Sequence, residues 1–149
     1  MTVAQAVRLF HDKNPQTVAS VRRLVSIRKI DRGRYRTVYK VKWLPLVVKI
    51  PRGRPIDVQH AQRDIERFQL LAGTNLQKHI PKLYWASTCS GIMLVEWVKV
   101  TNTHQDNNRA QSALERKYKR VTKVQHSDLC YANWGKRGRT WVMLDLGWG

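Results

Sequence analysis

Residues 125–148 read QHSDLCYANWGKRGRTWVMLDLGW, and the chain is best understood outward from this stretch. A polar segment with His126, Asp128 and Asn133 leads into a glycine-punctuated turn region. The apolar run Trp141-Val142-Met143-Leu144 follows and ends at Asp145-Leu146-Gly147. A tight loop would set Asp128 and Asn133 side by side, and a short hairpin would bring Asp145 back over them. The plain alternative is a polar turn followed by a strand and a surface aspartate.

At 149 residues the chain fits one domain, long enough to bury a core. A hydrophobic content of 42% separates it from disordered sequences. It has no apolar run long enough to span a bilayer, and Gln5, Arg8 and His11 interrupt the N-terminal segment, so no signal-peptide core is expected. Cys89 and Cys130 fit no metal-binding spacing. The expected compartment is the reducing cytoplasm, that of a host cell if a bacteriophage encodes the chain.

Charge is the outlier. Lys and Arg number 28 against 10 Asp and Glu, for a formal net charge of +18. Such a field attracts nucleic acid, anionic head groups or acidic proteins. No helix-turn-helix or zinc motif accompanies it.

Hydrophobic spacing gives the element order. Val3, Ala6, Val7 and Phe10 predict a helix over 2–12, and Val18, Val21 and Leu24 a second over 16–24, both packing on the body of the protein. Three β-rich runs follow, VSIRKIDR, YRTVYKVKW and LPLVVKIP, with alternation in Val25-Ile27-Lys29. They predict an antiparallel meander. Residues 55–72 predict a helix, with Pro55 early, Ala61, Ile65, Phe68 and Ala72 on one side, and Gly73 as its stop. Strands are expected over 82–87 and 91–98, around a tight turn at Thr88–Gly91. A very basic helix over 105–124 faces inward with Ala113, Leu114, Tyr118 and Val121, and a last strand covers 139–144. The six tryptophans are expected mainly in the core, with Trp134 and Trp148 as candidates to cover a cleft or mediate self-association.

Three strands, helix, two strands, helix, loop, strand is the order of a protein-kinase small lobe and the beginning of a large lobe. The loop resembles the kinase pattern H-x-D-L-x-x-x-x-N, with Ser127 in place of Arg, and Asp145-Leu146-Gly147 resembles D-F-G. The resemblance implies an α+β fold: a five-stranded antiparallel sheet with one helix as the small lobe (25–98), a helical extension (1–24) and a minimal, truncated large lobe (99–149). Asp128 is then the catalytic base, and Asn133 and Asp145 the Mg²⁺ ligands, oxygen donors of the kind that ion prefers. Val48-Lys49 ends a strand similar to V-A-I-K, so Lys49 would grip the phosphates of ATP and Glu66 would pair with it. Val38 and Val47 would line the nucleotide, and Glu96-Trp97 resembles the hinge that contacts adenine.

The glycine-rich loop departs from the family pattern. Its positions fall on Asp31, Gly33, Arg36 and Val38, so Gly33 alone remains of three glycines, where backbone amides would approach phosphates. The sequence stops two residues after Gly147, and no A-P-E motif follows. Ser/Thr hydroxyls of proteins are the expected acceptors. The alternatives are a pseudokinase-type binding protein using its basic face (Arg109, Arg116, Lys117, Lys119, Arg120, Lys123) on nucleic acid or an acidic partner, and a kinase of lipopolysaccharide core or another non-protein hydroxyl. The positive surface argues against a cationic acceptor such as an aminoglycoside.

Overall fold

Each of the first two helices begins on a threonine whose hydroxyl accepts a backbone N–H one turn ahead. In this computed structural model, which describes residues 1–100, 109–123 and 134–144, Thr2 and Gln5 form a reciprocal capping box for α1 (Val3–Lys13). Thr17 and Ser20 do the same for α2 (Val18–Leu24). Asn14, in the left-handed region at φ 46°, ends α1 with its N–H on the Phe10 carbonyl.

The chain forms two units: Met1–Ile65 with Leu83–Trp97, and Glu66–Lys82 with Val98–Gly149. In the first unit β1 (Ile27–Arg32), β2 (Arg36–Val41), β3 (Leu46–Pro51), β4 (Leu83–Ala86) and β5 (Met93–Glu96) make a five-stranded antiparallel sheet, in the order β1-β2-β3-β5-β4. With helix α3 (Pro55–Leu71) after β3, this is the α+β arrangement expected of a kinase-like small lobe.

The 1–24 segment is part of that unit's core. Ala6, Phe10 and Val21 are buried with Ile27, Val41, Leu46, Val48, Trp85, Ile92 and Leu94, and Phe10 meets Trp85 edge-on at 5.3 Å. Burying a side chain the size of Phe10 stabilises by about 1.5–3 kcal/mol. Alternation stops early in β1: Ile27 is buried and the rest of the strand exposed, because β1 is a sheet edge and bulges between Lys29 and Asp31.

Helix α3 starts on Pro55, whose missing N–H costs nothing there, and stops before Gly73 at φ 80°. The Asp57 carboxylate accepts the Arg54 N–H at 2.9 Å, capping the helix from inside its first turn. On the β4–β5 turn, Gly91 has φ 77°, and a Cβ there would lie 2.7 Å from the Ala61 Cβ and 2.9 Å from the Pro51 Cγ. Glycine is therefore required twice over, by backbone angle and by the close approach of α3.

In the second unit, α4 (Arg109–Thr122) buries Leu114 and Tyr118 and exposes Arg109, Arg116, Lys117, Arg120 and Lys123. The strand expected at 139–144 is β7 (Thr140–Met143), and it pairs with a second strand, β6 (Trp134–Arg137), through the two-residue turn Gly138-Arg139. Among the described residues no helix is long and apolar enough to cross a membrane.

The tryptophans divide. Trp85 is buried as expected and Trp134 is buried too, whereas Trp43 is 90% and Trp97 39% exposed. Trp43 sits on the β2–β3 turn, beyond the reach of either sheet face, so its large apolar surface finds no core to join.

Candidate functional site

Strand period and register sort the first unit's site residues by face. Val38 is the cross-strand partner of Lys49, Lys49 of Met93, and Val47 of Val95, so these side chains share one face of the sheet. The other face carries Val48 and Leu94, which belong to the α1–α2 core. Three positions expected around a nucleotide, Val38, Val47 and Lys49, are thus brought together. Lys49 is 8% exposed, on a strand flanked by β2 and β5, with Val47, Met93 and Val95 buried around it. That excludes a snorkelling edge-strand lysine. A buried ammonium is kept only in anionic or hydrogen-bonding company.

The α3 carboxylate on this face was missed in the sequence. Arg36, two residues from Val38 and on its side of β2, forms an ion pair with Asp64, which is 5% exposed. Glu66 lies on the exposed side of α3. The signal was available: Asp57, Ala61, Asp64 and Phe68 follow one another at helical spacing and all are buried, while Glu66 falls off that stripe.

The β1–β2 turn differs from a phosphate-cradling glycine loop. The Gly33 N–H donates to the Arg36 carbonyl at 2.8 Å, closing the hairpin on itself. This amide, expected near a phosphate, is engaged inside the turn. Gly33 also shows no left-handed φ, so the backbone there does not require glycine. Guanidinium groups gather instead. Arg54 donates to the Arg34 carbonyl at 2.9 Å and Arg52 to the Gly33 carbonyl at 3.4 Å. The Tyr35 ring stacks on His60 at 3.8 Å, with the Arg34 guanidinium 5.4 Å from its centre. Arg54 also grips Asp57 through Nε at 3.1 Å and a terminal nitrogen at 2.8 Å, and these bonds hold the Asp57 carboxyl below its ordinary range despite its burial.

At the expected hinge, Glu96 is half-buried opposite Leu46. The Trp97 N–H donates to the Pro45 carbonyl at 2.9 Å, and the Lys40 ammonium lies 5.1 Å from the Trp97 ring centre.

In the second unit the β6–β7 hairpin is built firmly. The His79 imidazole hydrogen-bonds the Trp141 carbonyl at 2.9 Å, and Arg137 donates to the Lys78 carbonyl at 3.1 Å and the Ile80 carbonyl at 3.2 Å. A Cβ on Gly135 would lie 2.5 Å from the Lys99 carbonyl oxygen, so the segment before α4 crosses β6 at backbone contact. Trp134, expected as a candidate cleft cover, is buried and meets Trp141 edge-on at 6.2 Å. His126, Asp128, Asn133, Asp145 and Trp148 lie outside the described residues. Among the described residues no three His, Cys, Asp or Glu side chains group as a metal site.

No family model matches the chain, and no curated protein matches it. Among solved structures, the streptomycin–ATP–APH(2″)-IIa ternary complex is similar to it, with 15% identity and a TM-score of 0.47. The match covers 74% of this chain and 37% of that one, so this chain spans well under half the length of its structural neighbour.

Proposed function

We propose that the chain is an ATP- and Mg²⁺-dependent phosphotransferase acting on hydroxyl groups, with Ser/Thr hydroxyls of proteins as the acceptor class. Lys49 carries this reading: a buried cation on a central strand, flanked on the same face by Val38 and Val47. Those groups fit a nucleotide, with apolar surface for its flat ring and charge for its phosphates. Bound ATP supplies the phosphoryl group. Lys49 neutralises charge on the phosphates; Glu66, expected from the sequence to steady its ammonium, lies on the exposed side of α3. Asp128 would take the proton from the acceptor hydroxyl as that oxygen bonds to the γ-phosphorus. The bond from that phosphorus to the bridging oxygen breaks, and ADP leaves with the negative charge. Asn133 and Asp145 would hold Mg²⁺ through oxygen atoms, and the ion would neutralise charge on the phosphates. The described part of this region is the β6–β7 hairpin. Trp134 and Met143 are cross-strand partners there; Asn133 and Asp145 themselves lie outside the described residues.

The test is transfer of labelled γ-phosphate to cell lysate with Mg²⁺, comparing wild type with Asp128→Ala and Asp145→Ala. Label on a macromolecule, lost in both variants, is the expected result. No label, with no Mg²⁺–ATP thermal shift of the purified chain, would overturn it.

The exposed cations of α4 and the committed Gly33 amide favour one second reading: a binding protein of the same fold that takes nucleic acid or an acidic partner on its basic surface. Binding unaffected by Asp128→Ala, without phosphoryl transfer, distinguishes it.

A further inference from the structure

Trp43 is 90% exposed, the most exposed tryptophan among the described residues, and its backbone sits at φ 64°. It is the third residue of a turn in which the Leu44 N–H donates to the Val41 carbonyl at 3.4 Å. Glycine or asparagine normally fills such a left-handed position, and a bulky aromatic there is strained. Strain of this kind persists where the surroundings over-determine the backbone, and here they do. The Lys40 ammonium donates to the Val41 carbonyl at 2.8 Å and also to the Leu44 carbonyl. The Leu46 N–H donates to the Leu44 carbonyl at 2.8 Å, the Lys42 N–H to the Ser26 carbonyl at 2.9 Å, and the Trp97 N–H to the Pro45 carbonyl at 2.9 Å. The indole is displayed on a pinned backbone.

Its surroundings are cationic. Lys42 and Arg28 are exposed, and Arg28 is the cross-strand partner of Lys40. Burial, and then the Arg28 charge, lower the Lys40 pKa, so positive charge is crowded at this end of the sheet. The Arg22 guanidinium lies 5.6 Å from the Tyr39 ring centre nearby on the same unit. Neither 17–30 nor 36–50 contains an acidic residue; Glu96, opposite Leu46, is the acid on the adjoining strand.

A second copy of this +18 chain would be repelled. A membrane surface calls for several apolar side chains together. Here the exposed Trp43 and the partly exposed Trp97, whose ring centre lies 5.1 Å from the Lys40 ammonium, stand among cations, with Leu44 half-buried. Stacked bases on a phosphate backbone use both the flat ring and the cations. We infer that the β2–β3 turn is a binding site for single-stranded nucleic acid, with Trp43 stacking on a base and Lys42 and Arg28 taking the flanking phosphates. This does not rest on the phosphotransferase reading.

The test uses the full chain and a fluorescently labelled oligothymidine, with anisotropy read over a range of salt and with a matched duplex and phosphatidylserine vesicles as competitors. Trp43→Gly is expected to weaken binding about tenfold at every salt concentration, because stacking is lost and no charge is removed. Lys42→Ala is expected to flatten the salt dependence by about one phosphate contact. Glycine suits the left-handed backbone, so Trp43→Gly should melt no lower than wild type, which separates lost binding from lost folding. Trp43→Phe should keep most of the affinity. Equal affinity of wild type and Trp43→Gly would overturn the inference. So would a duplex or vesicles displacing the oligothymidine through a Trp43-dependent contact of their own.

Discussion

Arg36 on β2 and Asp64 on α3 form an ion pair in which the arginine side chain is 18% and the aspartate side chain 7% exposed. It joins the helix to the sheet face that also carries Lys49. Removing one member of a buried pair leaves the other charged and desolvated, which costs about 3–5 kcal/mol.

Asp64→Ala is therefore expected to lower unfolding stability by about 3 kcal/mol, while Glu66→Ala, on the exposed side of the same helix, changes it by under about 0.5 kcal/mol. Urea unfolding of the two variants checks this. Equal effects would remove Asp64 as the tie between helix and sheet.

Gly91→Ala places a methyl group against Ala61 and Pro51 on a left-handed backbone, and about 2–3 kcal/mol of destabilisation is expected. Adding Ala61→Gly clears one of the two contacts and should recover part of the loss. Ala61→Gly alone costs about 1 kcal/mol for its glycine within α3, and the recovery is read against that background. A Gly91→Ala cost as large in the Ala61→Gly background as in wild type would mean that backbone angle, and not helix approach, decides it.

Acid sensitivity follows from Asp57. Its folded pKa lies below the ordinary 3.8, held there first by the Arg54 side-chain hydrogen bonds. Between the folded and the unfolded value, the unfolded chain binds more protons, so stability rises with pH through that window. The pair contributes fully above the unfolded value and is lost as pH falls through the folded one. Asp57→Asn should be less stable than wild type at neutral pH, with the gap closing below about pH 4. A gap that stays constant down to pH 2.5, measured by urea midpoints, would contradict this role.

Lys49→Met replaces a buried cation with an apolar side chain of similar length, and the fold should survive. The thermal shift produced by Mg²⁺–ATP in wild type should vanish in the variant. A shift that persists would place the nucleotide phosphates elsewhere, with the Arg34, Arg52 and Arg54 group as the next site to probe.

Much of the fold was legible because its signals are local. Leu44-Pro45 separates two β-branched runs, Pro55 and Gly73 bracket α3, and a period of two gives way to a period near four between them. Each is a property of a few adjacent residues. Strand β6 escaped notice because Trp134-Gly135-Lys136-Arg137 has no alternation; it is a strand because β7 and the segment at Val100 pair with it.

The sequence by itself determined the order of elements, the antiparallel meander, the face of α4 turned inward and the candidacy of Lys49. Tertiary structure alone decided which way the remaining side chains point. Periodicity says that a helix has an apolar stripe, and a carboxylate lying on that stripe is buried only if a partner such as Arg36 waits opposite it. Whether a tryptophan is core or surface depends on whether another element covers it, and among the described residues none covers Trp43. Burial is a relation between distant segments, fixed when they meet.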